Sequence, residues 1–257
     1  MTEPDRSSPV LIQIRHLTKT FPGGIQAIDS LDLRIRTGEF VALIGPSGCG
    51  KSTLLRLIAG LDLPTQGQID CELKNRSDIA YVFQDAHLLP WRKVLGNVAL
   101  PLELLGVDRS YRDQQSRQIL DQVGLGQLHE RYPAQLSGGQ RMRVSLARAM
   151  VTQPRLLLLD EPFAALDEIT RQQLDEWLRA IWLEQQMTVL FVTHSIPEAV
   201  FLADRAIVFS PRPARIRLDV DLSAHLPSCR TSELRGTPIF AEQTQRLYKA
   251  LQQTDTP

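Results

Sequence analysis

The sequence predicts an α/β fold: a mostly parallel sheet with an antiparallel β-subdomain near its start and a helical subdomain inserted in its middle. Three observations predict it. Five short, nearly continuous apolar runs, VALIG (41–45), IAYVF (79–83), LLLLD (156–160), TVLFVTH (188–194) and AIVFS (206–210), suit parallel strands buried on both faces. Ahead of them, Leu11 to Arg15 and Leu31 to Arg36 alternate apolar with polar around a Pro22-Gly23-Gly24 turn, the period-two signal of half-exposed strands. Strand signals vanish between about Asp85 and Met150, where helical stretches dominate.

A chain of 257 residues, 43% hydrophobic and 23% charged, can bury such a core as one unit with an appendage. The unit is expected over residues 10–220, with its helical part at about 85–150, and residues 221–257 read as a short C-terminal tail. In EITRQQLDEWLRAIWLEQQ, the residues Leu174, Trp177, Leu178, Ile181 and Trp182 form one apolar stripe, so both tryptophans read as core. After about Leu218 the pattern weakens. Ser223 to Pro257 reads as loosely attached and ends in one short helix, Ile239 to Gln253.

Composition excludes several classes. Lys plus Arg equals Asp plus Glu, 29 each, so the basic footprint of a general nucleic-acid binder is missing. Cys49, Cys71 and Cys229 are too few and too scattered for a disulfide framework or a zinc cluster, which fits a reducing compartment. No apolar run approaches the roughly 18 residues of a membrane span, and MTEPDRSSPV at the start lacks the regions of a signal peptide.

The chemistry begins at GPSGCGKST, residues Gly45, Pro46, Ser47, Gly48, Cys49, Gly50, Lys51, Ser52 and Thr53. A strand, a glycine loop and a helix start make an anion site, because backbone N–H groups converge where the helix dipole is positive. The spacing G-x-x-x-x-G-K-S adds Lys51 to reach the β- and γ-phosphates and Ser52, whose hydroxyl suits Mg²⁺. The junction is therefore a P-loop that cradles a nucleoside triphosphate, in a kinase, a switch GTPase or an ATPase. Cys49, beside Lys51 and a helix start, is expected to be a reactive thiol of lowered pKa. LLLLDEP then ends a buried strand in Asp160, a carboxylate for Mg²⁺, with Glu161 free to polarise an attacking water as general base. A kinase has to keep that water out.

LSGGQRMRVSLARAM (136–150) runs Ser137, Gly138 and Gly139 straight into an amphipathic helix. With this stretch beside a complete P-loop, the chain resembles the nucleotide-binding subunit of an ABC transporter from about Val10 to Leu218. The resemblance implies a RecA-like P-loop NTPase core that binds ATP and Mg²⁺. It makes Gly45 to Thr53 the Walker A loop, Leu136 to Gln140 the signature, Leu156 to Asp160 the Walker B strand and Glu161 the catalytic base. Phe21 sits where an aromatic stacks on adenine, though a Phe before a Pro-Gly turn is equally a core residue. Gln84 in YVFQD matches the Q-loop residue that senses Mg²⁺, AALD (Ala164 to Asp167) the D-loop, and His194 the switch histidine that contacts the γ-phosphate. Two positions depart from the pattern: Ser195 stands where an aspartate commonly follows the histidine, and Ala164 opens the D-loop.

In that family the signature of one chain closes over the nucleotide of another, so the resemblance implies a dimer, most simply a homodimer with two sites. It also implies integral-membrane permease subunits, an indirect periplasmic or lipid-anchored solute-binding protein, and a peripheral place on the cytoplasmic face of the inner membrane. LLPWRKVLGNVALPLELLG (88–106) and EAVFLADRAIVFSPRPARI (198–216) resemble the nitrate, sulfonate and taurine branch of bacterial importers, which includes relatives taking up pyrimidine vitamin precursors. Leu88, Leu89, Pro90 and Trp91 are an apolar cluster that suits either a docking surface for the membrane partner or subdomain core. Soluble ABC-type ATPases of DNA repair or translation are the rival class; the coiled-coil insertion of the former and the fused cassettes of the latter are not in this sequence.

Overall fold

The computed structural model describes residues 8–252. Residues 1–7, most of the stretch without a signal-peptide pattern, and residues 253–257 of the expected tail lie outside the described residues. β1 (Val10–Phe21) and β2 (Ile25–Arg36) pair antiparallel from Phe21 opposite Ile25 to Val10 opposite Arg36, well beyond the alternating stretches that announce them. β3 (Phe40–Ile44), α1 (Lys51–Ile58) and β4 (Gln66–Cys71) follow. β4 completes a three-stranded sheet in the order β2-β1-β4. After β5 (Ile79–Val82) the chain turns helical through α2 (Val94–Val98), α3 (Leu100–Leu104), α4 (Arg109–Gln122) and α5 (Gly138–Met150). It returns through β6 (Leu156–Asp160), α6 (Glu168–Gln185), β7 (Thr188–Thr193), α7 (Ile196–Leu202), β8 (Arg205–Phe209), β9 (Ile216–Asp221) and α8 (Pro238–Gln252).

The second sheet has six strands in the order β5-β6-β7-β3-β8-β9, parallel except for β9, which pairs antiparallel with β8. Its apolar runs are unbroken because both faces are covered. Leu156, Leu158, Leu190 and Val192 enter a core shared with α1 and the three-stranded sheet; Leu157, Leu159, Val189 and Phe191 enter a second core beneath the helices. Alternation survives inside each strand, with both sides apolar. On α6, Leu174, Leu178, Ile181 and Trp182 are buried and Trp177 packs half-buried against the same core.

The C-terminal segment corrects the expectation of a loosely attached tail. Leu222, Leu226, Leu234, Phe240, Leu247 and Ala250 all enter the helical-side core. Arg230 is 4% exposed. Its Nη1 donates to the carbonyls of Val200, Phe201 and Ala203 at 3.0, 2.9 and 2.8 Å, while Arg179 Nη1 donates to that of Leu202 at 2.8 Å. The last carbonyls of a helix have no partner within it, and here two arginines satisfy those of α7. Asp204 sits between the two guanidiniums, at 2.8 Å from Arg179 and 3.1 Å from Arg230, and offsets one of their two charges.

Candidate active site

All the strands that carry chemistry release it at the same end. β3 feeds the loop 45–50 and α1, β6 ends in Asp160 and Glu161, and β7 ends just before His194. Pro46, Ser47 and Gly48 are exposed, while Gly50 turns the chain into α1 at φ +123. A Cβ at Gly50 would stand 2.7 Å from the Ala27 carbonyl oxygen, so backbone proximity as well as conformation demands glycine. Lys51 is buried and folds back over the loop, its Nζ donating to the carbonyls of Gly45 (2.8 Å) and Pro46 (3.0 Å). Its ammonium is thereby held against the carbonyls at the start of the loop.

Ser52 Oγ donates to Asp160 Oδ1 at 2.8 Å, and Tyr81 OH donates to Oδ2 at 3.2 Å. Burial raises the Asp160 pKa, and these two hydrogen bonds oppose the rise. Burial first, then the Asp160 charge, push the Tyr81 phenol up, so it keeps its proton and donates. The Ser52 and Asp160 oxygens are hard donors that fit Mg²⁺. No group of three or more His, Cys, Asp or Glu forms a metal cage among the described residues. The two oxygens therefore fit a cation that takes the rest of its shell from phosphate and water, as Mg²⁺ does.

Glu161 has φ 49, a left-handed conformation rare for a residue with a side chain, and its N–H donates to Val192 O at 3.0 Å. Strain of this kind concentrates at functional sites. Its Oε2 lies 3.3 Å from His194 Nδ1. A carboxylate only accepts, so Nδ1 carries the proton of that contact. The loop bearing His194 is knotted behind it. Ser195 N–H donates to Thr193 Oγ1 (2.9 Å), Thr193 Oγ1 donates to Glu198 Oε2 (2.5 Å), and Ser195 Oγ accepts from the Glu198 N–H (3.4 Å).

Other sequence-predicted residues lie apart from this cluster. Ser137 caps α5: its Oγ accepts from Gln140 N–H at 3.2 Å and Gln140 Oε1 accepts from Ser137 N–H at 2.9 Å, a reciprocal capping box. Gly138 is exposed, and Gly139 abuts the AALD segment so closely that a Cβ would meet Leu166 Cδ2 at 2.8 Å. Asp167 caps α6 by accepting from Thr170 N–H at 2.9 Å, and that bond lowers its pKa. Phe21 is half-buried at the end of β1, with Lys19 Nζ 5.1 Å from its ring centroid. Gln84 and Thr53 are exposed and half-buried respectively. None of these makes a hydrogen bond to Lys51, Asp160, Glu161 or His194 among the described residues.

Cys49 contradicts the expected reactive thiol. It is 1% exposed, and burial raises its pKa more than Lys51, beside it, lowers it. Proximity to a cation activates a thiol only when water can solvate the thiolate. Tyr81 is the residue that sequence reasoning missed; an aromatic inside an apolar strand reads as packing, and only its position beside the strand of Asp160 signals more.

A family model described as ABC transporter matches residues 28–164. An uncharacterised ABC transporter ATP-binding protein of Methanocaldococcus jannaschii is 44% identical over 230 residues, 87% of this chain and 86% of its own length. The aliphatic sulfonates import ATP-binding protein SsuB of Pseudomonas fluorescens is 47% identical over 215 residues, covering 82% and 78%. Among solved structures, the dimeric post-hydrolysis state of the ATP-binding cassette MJ0796 with ADP and Pi superposes at a TM-score of 0.75 and 33% identity, covering 82% of this chain and 98% of that one.

Proposed function

The chain belongs to the ABC transporter ATP-binding family, and from that premise we propose that it is the ATP-hydrolysing subunit of an importer for a small anionic solute of the sulfonate type. The observation that carries the reading of the site is the pair of contacts at the sheet's end: Ser52 on Asp160 at 2.8 Å and Glu161 on His194 at 3.3 Å. In this reading the 45–53 loop and Lys51 bind the phosphates, Ser52, Asp160 and Gln84 serve Mg²⁺, Glu161 takes the proton of the attacking water, and His194 supports the γ-phosphate. Phe21 faces adenine. Ser137, Gly138, Gly139 and Gln140, with Asp167, meet the nucleotide held by a second copy.

Dimerisation is supported by the exposure of the motifs and by a dimeric relative. A cavity of about 660 Å³, lined by Arg36, Glu39, Asp204 and Arg205, opens at the other end of β3 and β8, away from the phosphate loop. The exposed residues Pro46, Ser47, Gly48, Ser137 and Gly138 instead face outward, and the signature serine, whose Oγ accepts from Gln140 N–H, keeps its O–H free to donate. A second chain supplies the missing wall. The related cassette MJ0796 is dimeric in two solved structures.

No helix among the described residues is long and apolar enough to cross a membrane; as an importer's ATP-binding subunit it sits peripherally, at the cytoplasmic face in this reading. Its grip is the segment after Gln84. Buried Asn97 gathers the loop, accepting from Leu89 N–H at 2.8 Å and donating to the carbonyls of Leu89, Arg92 and Lys93. Trp91 then projects, 72% exposed. Beside the helical subdomain a groove of about 470 Å³ runs between Tyr81, Leu100, Pro101, Leu104 and Leu105. Leu88 does not belong to this surface, because it packs half-buried against the core.

Phosphate release from ATP with no acceptor present tests the reading. Steady release that requires Mg²⁺ supports an ATPase, whereas release only with an added hydroxyl acceptor would make the protein a kinase. Trp91→Ala should leave that hydrolysis intact and abolish solute uptake by the assembled transporter; full uptake removes Trp91 from the docking surface.

A further inference from the structure

We propose that Tyr81 is a positioning residue for the cation site: its hydroxyl fixes the Asp160 carboxylate in the orientation that the metal requires. This rests on the reading of Asp160 as a metal carboxylate. Asp160 is 8% exposed, and each of its oxygens has one protein donor, Ser52 Oγ on Oδ1 at 2.8 Å and Tyr81 OH on Oδ2 at 3.2 Å. A carboxylate at the end of a strand turns about its Cβ–Cγ bond unless both oxygens are held, and Ser52 alone holds only one. Ser52 is itself a cation ligand in this reading, so on metal binding the phenol becomes the donor that keeps the carboxylate aimed.

The phenol is well placed for that task. Tyr81 pairs with Leu158 on the neighbouring strand β6, two residues before Asp160, so the sheet register sets the hydroxyl's reach. Its ring packs tilted against Phe83 at 4.2 Å between centroids, and its other side lines the groove beside Leu100, Pro101 and Leu104. Phe83 is in turn held edge-on by His87 at 5.3 Å. Strand register and the Phe83 contact together set the place to which the ring delivers its hydroxyl. Residues that orient metal ligands in this way change metal affinity by roughly tenfold or more when lost.

The test measures nucleotide affinity of the purified chain for a fluorescent ATP analogue, with Mg²⁺ and with EDTA, in wild type, Tyr81→Phe and Asp160→Asn. Tyr81→Phe removes one oxygen and keeps the ring, so thermal stability should be close to that of the wild type. The gain in affinity that Mg²⁺ provides should shrink roughly tenfold in Tyr81→Phe, with the EDTA affinity unchanged, and Asp160→Asn should show the same split more strongly. A full Mg²⁺ gain in Tyr81→Phe alongside a lost gain in Asp160→Asn overturns the positioning role while the site reading stands. A full gain in Asp160→Asn overturns the site reading itself. Weakening of Tyr81→Phe that is equal with and without Mg²⁺ also overturns the proposal, because it marks general damage to the loop.

Discussion

Replacing Glu161 by glutamine changes one atom of the candidate base and nothing of its shape. Glu161 Oε2 contacts His194 Nδ1 at 3.3 Å, and Oε1 accepts no hydrogen bond among the described residues, in a side chain 19% exposed. One oxygen is therefore oriented and the other is open to water, which is what a general base needs. Asp160 is a poor substitute, since it is 8% exposed and Ser52 and Tyr81 each donate to one of its oxygens. The amide can still face His194 but accepts no proton, so the loss should be that of general-base catalysis, about 10²- to 10⁴-fold in turnover, or about 3 to 5 kcal/mol in the barrier. Binding should survive, because the loop amides and Lys51 are untouched. The assay is phosphate release at saturating Mg-ATP, together with gel filtration with and without ATP. Turnover below about 1%, with an ATP-dependent dimer peak, is the expected result. Hydrolysis within a fewfold of wild type would remove Glu161 from the role and refute the reasoning.

Alkylation of the native chain should modify exposed Cys229 first and half-buried Cys71 more slowly, and should reach buried Cys49 only on unfolding; mass spectrometry that finds Cys49 modified first would contradict its burial. Arg230→Met should destabilise the chain by about 3 kcal/mol, the scale for leaving buried acceptors without a donor, because it orphans three carbonyls of α7 while Asp204 keeps Arg179. Denaturant unfolding with a loss below about 0.5 kcal/mol, the range of a surface ion pair, would show that Arg230 does not hold the segment in place. Asp175 provides a pH dependence. Burial first, then the Glu198 charge, push its pKa up to about 7 against the pull of Arg235. The folded chain then holds this proton more tightly than the unfolded chain, whose value is the ordinary 3.8. Stability from this group is complete below pH 3.8 and is lost as the pH rises to about 7. The melting temperature of wild type minus that of Asp175→Asn should accordingly fall as the pH rises from 3.8 to about 7, and a constant difference would contradict the shift.

The parts of the molecule legible in its sequence are those where one residue type answers one local demand. LLLLD reads as a buried strand because Leu156 and Leu158 face one core and Leu157 and Leu159 the other. β4 and β9 escape because they lie at sheet edges: QGQIDC has only Ile69 and Cys71 even half-buried, and IRLDVD has only Val220 fully buried. The C-terminal segment escapes for a different reason. Its apolar anchors Leu222, Leu226 and Leu234 are too widely spaced to show a period, and nothing local reveals that Arg230 binds backbone carbonyls. Cys49 shows the limit of motif chemistry, since its neighbours in sequence set the charge near the thiol while the fold decides whether water reaches it. Asn97 shows the same limit for loops: four hydrogen bonds from one buried amide shape residues 89–93, and nothing local distinguishes it from a solvated asparagine.

The departure at Ser195 bears on how the histidine is held. An aspartate and a serine are comparable helix caps, and Ser195 Oγ does accept from Glu198 N–H at the start of α7. Replacing the carboxylate removes a charge but leaves the cap. Glu198, buried five residues beyond Thr193, is fixed by that threonine's hydroxyl and stands 3.2 Å from Arg171 Nε. Arg171 also donates to the carbonyl of Leu166, so one guanidinium spans the AALD segment and the support of His194. At the other end of α7, the carbonyls of Val200, Phe201, Leu202 and Ala203 are taken by Arg230 and Arg179. The short helix behind the histidine is therefore closed at both ends, by a serine that departs from the family pattern and by an arginine from the C-terminal segment. That segment is part of the scaffold of His194.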